Sequence, residues 1–584
     1  MIQFSLFISA RARFLYLLMI GSYTLLAQDE KELKPVTRVY AITQVNVIPA
    51  PGKRIDQATV IIKDGLITAV GKSIAIPTEA VVIKADSMFL YAGFIDGLSR
   101  AGVNKPKEEA TRERVKDPGN PVPERAGIAP QNDVRNSLNA GDKGIEDLRN
   151  IGFTVAHVVP YGNLLPGQGS IVLLGGKSVD QMVLINNSSL YAELSGANGV
   201  YPTTIMAVMA KWRELYKQAV QAKSYQSLYA SNRSGLERPA SDRVLEAFYP
   251  IIDQRTPVLF KSEKMLDAHR ILTLKSELGF SLMLADVKEG WLLATKIKAS
   301  GAKVFLSLDL PEDVKKDDKK DERKSDKQVA GKSGKDDSTR AKEVAKPKTA
   351  FDIENEALEK RKAEAIANYV SQASVFNKAS VPFGFSSFSA KPKDIPSNLR
   401  RMITAGLSED AALAALTTTP AKLLGLSDRM GTVENGKMAN LVITDKSYFN
   451  EKAKVRYVFV DGVMYKMELK EEKKSDPNAK VEIEGSWSTV TESPQGSNEG
   501  KVTFKKEGNN YSGTVSGGRL PSAVDMTSVG LEGNKLSYSY ALNFGGNSIK
   551  VEVEVTIDGD TFKGNASVGE RGSFAIEGTK VPKK

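Results

Sequence analysis

Between Phe153 and Leu424 the chain alternates short apolar runs with longer amphipathic stretches, and this alternation narrows the fold more than any other feature. The runs are FTVAHVV (Phe153 to Val159), SIVLLGG, PVLFKSE, FSLMLAD, AKVFLSLDL and SVPFGFSS. Each is short and apolar enough to be a buried strand. The stretches between them, among them TTIMAVMAKWRELYKQAV, KMLDAHRILTLKSELG and SEDAALAALTTTPAKLLG, carry helical periodicity. Strand and helix in turn predict βα units on a parallel sheet, and their number fits an α/β fold closed into a TIM-like (β/α)8 barrel. Functional side chains then belong at the C-terminal ends of the strands. Ile95 to Arg100, which end the run YAGFIDGLSR, are expected at the barrel mouth.

Two β-rich pieces flank this region. RVYAITQVNVIPAPGKRIDQATVIIKDGLITAVG alternates apolar and polar residues around a hairpin signal at Asp64-Gly65, and the segment from Gly431 to Lys466 has the same texture, with Gly436 and Gly462 in turns. The two pieces are expected to complete one small split β-sandwich domain (36–90 and 431–467) beside a barrel spanning 91–430. Beyond a charged linker, residues 481–584 read as strands joined by turns at Gly508-Asn509, Gly533-Asn534 and Asp558-Gly559. This predicts a separate C-terminal all-β meander, either an up-and-down barrel or a sandwich. Its opening Gly485-Ser486-Trp487 is similar to that of lipocalin-type barrels, with a filled core expected rather than a ligand cavity. Residues 311–349 have almost no apolar side chain and no aromatic one. Such a segment buries too little to offset its ordering entropy, so a charged, disordered insertion at a barrel loop is expected.

The formal charge is +11, but basic and acidic residues are interleaved, so no nucleic-acid partner is expected. There is no cysteine, which removes disulfides, thiolate ligands and thiol nucleophiles. Arg11 and Arg13 precede FLYLLMIGSYTLLA, which ends at Ala27 before the polar QDEKE. This is the layout of a secretory signal peptide (1–27), and it predicts a periplasmic or secreted protein. The apolar run is short of the roughly 20 residues that span a bilayer, so no stable membrane span is expected.

Common catalytic motifs are absent. The chain has no Gly-x-Ser-x-Gly elbow, no Walker loop and no His-Glu-x-x-His helix, and its only 2 histidines are His157 and His269. His157 shares a strand face with Val155 and Val159, a place for packing at the core or rim. His269 lies on a segment expected to cover the outside of the barrel.

The region from about Arg38 to Lys466 resembles the metal-dependent amidohydrolase superfamily, in the branch containing imidazolonepropionase-like enzymes. The resemblance is carried by the split β pieces, by YAGFIDGLSR against a Pro-Gly-Phe-Ile-Asp-x-His-x-His signature, and by GLSEDAALAALTTTPAKLLGLSDRMGTVENGKMANLVI. It implies one or two divalent ions, zinc in the family, held by two histidines after strand one, one after each of strands five and six, and an aspartate after strand eight. Such an ion lowers the pKa of a bound water to about 7 for attack on an amide. Here those positions fall on Leu98, Arg100, Lys261, Ala285 and Ser387 or Phe388. With 2 histidines a four-imidazole site is out of reach, so no metal is expected.

The resemblance therefore implies a degenerate member. If the alignment holds, Arg100 and Lys261 place positive charge where ions would sit, and with Asp96 and His157 they are the candidate residues for binding a small anionic or carbonyl-bearing ligand. In the bland alternative both cations turn to solvent while Leu98 and Phe388 close the pocket. The functional expectation is a ligand-binding protein or a partner of a homologous active subunit. The alternative is a hydrolase of carbon–nitrogen bonds other than peptide bonds with a remodelled site.

Overall fold

The computed structural model describes residues 39–106, 115–312, 350–467, 481–493, 496–508, 510–517, 522–544, 547–568 and 573–581. The expected signal peptide (1–27) and all but the first two residues of the expected insertion (311–349) lie outside these residues. The chain divides into two units, Met1–Glu468 and Leu469–Lys584.

In the first unit, β1 (Val39–Ile48), β2 (Ile55–Lys63), β3 (Leu66–Gly71), β4 (Val81–Lys84) and β5 (Phe89–Ala92) form the N-terminal part of a small domain. The β2–β3 hairpin turns at Asp64 and Gly65, both with positive φ (48° and 83°), as a two-residue turn that follows strand twist requires. After the barrel strands β6 to β13, the chain returns as β14 (Leu441–Thr444), β15 (Val455–Val460) and β16 (Val463–Lys466). The return strand β14 pairs with β5, Leu441 opposite Ala92 and Val442 opposite Tyr91, so the two distant pieces do complete one domain. One boundary is corrected. Hydrogen bonding runs through these strands as one continuous eight-stranded sheet, curled on itself so that Tyr40 of β1 meets Phe459 of β15 at 5.5 Å between ring centroids. Tyr91 and Ala92 belong to it, because their backbones are taken by β14 and β1, and the barrel starts at Phe94.

The barrel strands are β6 (Phe94–Ser99), β7 (Phe153–Val158), β8 (Gly167–Leu173), β9 (Val183–Glu193), β10 (Val258–Lys261), β11 (Leu282–Val287), β12 (Lys303–Ser307) and β13 (Phe383–Ser386). They close in sequence order, β13 meeting β6. One strand departs from the expected parallel barrel: β8 runs antiparallel to both neighbours. The cause is chain length. Only residues 159–166 join β7 to β8, and a parallel return needs about a dozen residues or more.

Phe305 of β12 fills the lumen. A Cβ at Gly97 of β6 would stand 1.9 Å from its ring and one at Gly384 of the adjacent β13 2.7 Å, so both positions need glycine. Around it lie the buried Leu98, Val159, Tyr191, Leu259, Met283 and Ala285. The helices pack outside over residues such as Phe94, Phe153, Trp212, Phe260 and Phe280. Among the described residues, no helix is long and apolar enough to cross a membrane.

The second unit is the up-and-down barrel of the two forms expected. Its strands are β17 (Gly485–Ser493), β18 (Gly496–Glu507), β19 (Asn510–Ser516), β20 (Val524–Glu532), β21 (Lys535–Phe544), β22 (Asn547–Asp558), β23 (Thr561–Val568) and β24 (Ser573–Lys580). Each is antiparallel to the next, and β17 pairs with β24 to close the ring. Trp487, Phe504, Tyr538, Val553, Phe562 and Ile576 are buried together as its core. The Trp487 indole donates to the Ile483 carbonyl at 2.9 Å.

Candidate ligand site at the barrel mouth

Asp96, in the middle of β6 and fully buried, meets Ser387 just past the end of β13. Its Oδ1 accepts the backbone N–H groups of Leu98 (3.2 Å) and Ser387 (3.0 Å), and the Ser387 hydroxyl donates to Oδ2. Burial pushes the Asp96 carboxyl up to about 7, against those Ser387 and Leu98 hydrogen bonds and with a further push from Asp286. Asp286, on β11 with φ +55°, is the second buried carboxyl here. It accepts the Ser389 hydroxyl at 2.5 Å and faces the Ser386 hydroxyl at 3.4 Å. Burial raises its pKa too, opposed by Ser389, Ser307 and the charges of Lys288 and Lys261. The segment Ser386 to Ser389 is thus tied to Asp96 on one side and to Asp286 on the other.

Phe388 lies in the middle of that segment, and both candidate cations meet it. The Arg100 guanidinium carbon is 4.4 Å from the Phe388 centroid and 4.3 Å from that of Tyr161. The Lys261 amine, at the end of β10, is 5.0 Å from the Phe388 centroid. Each cation also has an acid. Arg100 Nη2 donates to Glu193 at 3.4 Å, while Glu193 accepts the hydroxyls of Tyr191 (2.6 Å) and Ser195 (3.3 Å). Lys261 pairs with Glu263 at 2.7 Å. Burial opposes the charge on Glu263, but Lys261, Lys288 and Lys264 outweigh it and hold the carboxyl below its usual range. The Arg100 Nε is buried without a hydrogen-bond partner.

Leu98 and Ala285 are fully buried hydrocarbon in the lumen, and the Ser387 hydroxyl is engaged by Asp96. With Arg100 and Lys261 at the remaining positions, this donor set does not fit a divalent ion. Among the described residues, no group of three or more His, Cys, Asp or Glu is placed to hold one. The fourth candidate, His157, is fully buried in β7. Its Nε2 lies 2.9 Å and 2.8 Å from the hydroxyls of Ser188 and Ser189, its Nδ1 is unpartnered, and burial pushes its pKa down to about 4. It shares no hydrogen-bond partner with Arg100, Lys261 or Asp96 among the described residues, so it packs in the interior. His269 is exposed on the helix Met265–Leu278, its Nε2 2.9 Å from the Lys296 amine.

Sequence reading missed Asp286, Ser389, Glu193, Glu263 and Tyr161. Asp286 did carry a signal, as the lone acid ending the apolar run FSLMLAD. The others sit in loops or at strand ends, where periodicity says nothing.

The Amidohydrolase family model matches residues 356–465. The fold is similar to that of an amidohydrolase from Thermotoga maritima MSB8, at 19% identity and TM-score 0.56, over 73% of this chain and 100% of that one. A prolidase complexed with N-methylphosphonate-L-proline matches at 14% identity and TM-score 0.40, over 74% of this chain and 100% of that one. No curated protein sequence matches this chain.

Proposed function

We propose that this chain, whose matched segment and barrel support membership of the amidohydrolase superfamily, binds a small anionic or carbonyl-bearing ligand at its mouth without metal-dependent hydrolysis. One observation carries the reading. Arg100 and Lys261, which the sequence resemblance aligns with metal-ligand imidazoles, both converge on the ring of Phe388. Fixed cations repel a divalent ion and attract the same oxygens that the ion would have polarised. The guanidinium offers two-point recognition of a carboxylate, and the ammonium acts as a point charge. With no ion to sharpen a water molecule, binding is not followed by hydrolysis.

On this reading the basic and apolar pattern ending at Ala27 serves as a secretory signal, and the protein acts in the periplasm or outside the cell, alone on its ligand or in support of a homologous, histidine-complete subunit. Nucleic acid and a membrane span are not part of this reading. A second reading has one observation of its own. The Ser387 hydroxyl is hydrogen-bonded to Asp96, a carboxyl raised to about 7 and so poised for base chemistry, which favours a remodelled hydrolase of carbon–nitrogen bonds other than peptide bonds. Both groups are buried, which weighs against access by substrate.

Elemental analysis of the purified protein, followed by a dipeptide and cyclic-amide hydrolysis screen, tests both readings. The expected result is no stoichiometric zinc and no turnover. Zinc with turnover overturns the proposal, and metal-free turnover abolished by Ser387→Ala establishes the second reading. Purification from the native periplasm is expected to bring down a homologue if the partner role holds, and an isolated monomer there removes that role.

A further inference from the structure

The two cations at the mouth are not open in the ligand-free protein, because one ring stands against both. Phe388 presents its π-system to Arg100 at 4.4 Å and to Lys261 at 5.0 Å, and it is only half-buried. The negative face of an aromatic ring is a weak substitute for an anion. Each cation also has a single acid, Glu193 for Arg100 and Glu263 for Lys261, and Arg100 stands 4.3 Å from the Tyr161 ring as well. The ring thus stands against both charges, one of them a guanidinium whose Nε has no hydrogen-bond partner.

The ring's own anchorage is unusual. Phe388 is flanked by Ser387, tied to Asp96, and by Ser389, tied to Asp286 at 2.5 Å. Its own N–H donates to the Ser386 hydroxyl at 3.3 Å. The backbone on both sides is thus pinned to buried carboxyls, while the ring stands at the edge of the apolar cluster in the lumen, in cation–π contact with Arg100 and Lys261 and in oblique contact with Tyr191 at 6.4 Å between centroids. A pinned backbone carrying a ring that is only half-buried at the edge of its cluster permits motion about the side-chain torsions without movement of the strand end.

We infer that Phe388 is a gate over a site for small dicarboxylates, in which two ligand carboxylates displace the ring and take over its contacts with Arg100 and Lys261. Two charges against one ring select a ligand with two anionic groups, one for each. A monocarboxylate gains only one charge-assisted contact while still displacing the ring from both cations. The inference rests on the reading of the mouth as a metal-free anion site, and its test separates the two.

The test is calorimetric titration of the full chain with glutarate, with acetate as the single-charge comparison. Wild-type protein is expected to bind glutarate in preference to acetate. Arg100→Met and Lys261→Met should each weaken glutarate about tenfold or more, the loss of one charge-assisted contact. Phe388→Ala should tighten it about threefold or more and speed association in rapid mixing. Phe388→Leu, which keeps much of the bulk but removes the π face, should fall between, and equal thermal unfolding of the variants guards against misfolding. If glutarate binding depends on both cations but Phe388→Ala weakens it, the ring is part of the binding surface, and the gate falls while the anion site stands. If wild-type and Phe388→Ala protein both fail to bind glutarate, the dicarboxylate assignment falls; retained acetate binding that depends on Arg100 would still support the anion site.

Discussion

Three buried side chains make the stability of the barrel depend on pH, and they pull in opposite directions. Asp96 titrates near 7 in the folded protein against about 3.9 unfolded. Its raised folded pKa means that the native state binds the proton more tightly, so this contribution is fully present below about pH 4 and is lost as pH rises to about 7. Each pH unit in that window is worth about 1.4 kcal/mol, on the order of 4 kcal/mol in all as an upper bound. Asp286 acts in the same sense. Urea unfolding across the window should show wild-type protein losing stability relative to Asp96→Asn as pH rises, and parallel curves would refute the buried-acid account. His157 works the other way. Its folded pKa is pushed from 6.5 down to about 4, so the unfolded chain takes up a proton first and stability falls as pH drops through that range. His157→Gln should flatten the acid limb of the wild-type curve, with little effect above about pH 7.

At the scale of elements, the barrel closes because small residues on β6 and β13 make room for Phe305. Gly97→Ala would drive a methyl to 1.9 Å from that ring. The expected destabilisation is at or above the 1–3 kcal/mol usual for overpacking, and Phe305→Leu in the same chain should restore part of it. A double-mutant cycle checks this, with a coupling of about 1 kcal/mol or more expected between the pair. Sequence periodicity was a good guide to which segments are strands, and turn chemistry to where they reverse: Gly65, Gly436, Gly462, Gly533 and Gly559 all have positive φ. It was a poor guide to strand direction. An apolar run looks the same read up or down the barrel, and only the short connection 159–166 decided that β8 runs against its neighbours.

For the whole molecule, the C-terminal unit has its own closed barrel and its own core, so residues 481–584 expressed alone should fold. The chain has 3 tryptophans, and Trp487 is the one in this unit, fully buried. The isolated segment should therefore give a blue-shifted emission that moves to the red in one cooperative step on heating; emission of exposed tryptophan at the outset would show that the segment needs the rest of the chain. What the amino-acid order determined without help was composition and local pattern. Two histidines are too few for four imidazole ligands in any conformation, and alternating apolar periods demand strands and helices wherever they pack. What only the tertiary structure decided was which distant groups meet: Asp286 with Ser389, 103 positions away, and Arg100 and Lys261 with the ring of Phe388. Such meetings depend on strand register and barrel closure. Those are set by the packing of the whole core around Phe305, and no window of neighbouring residues contains them.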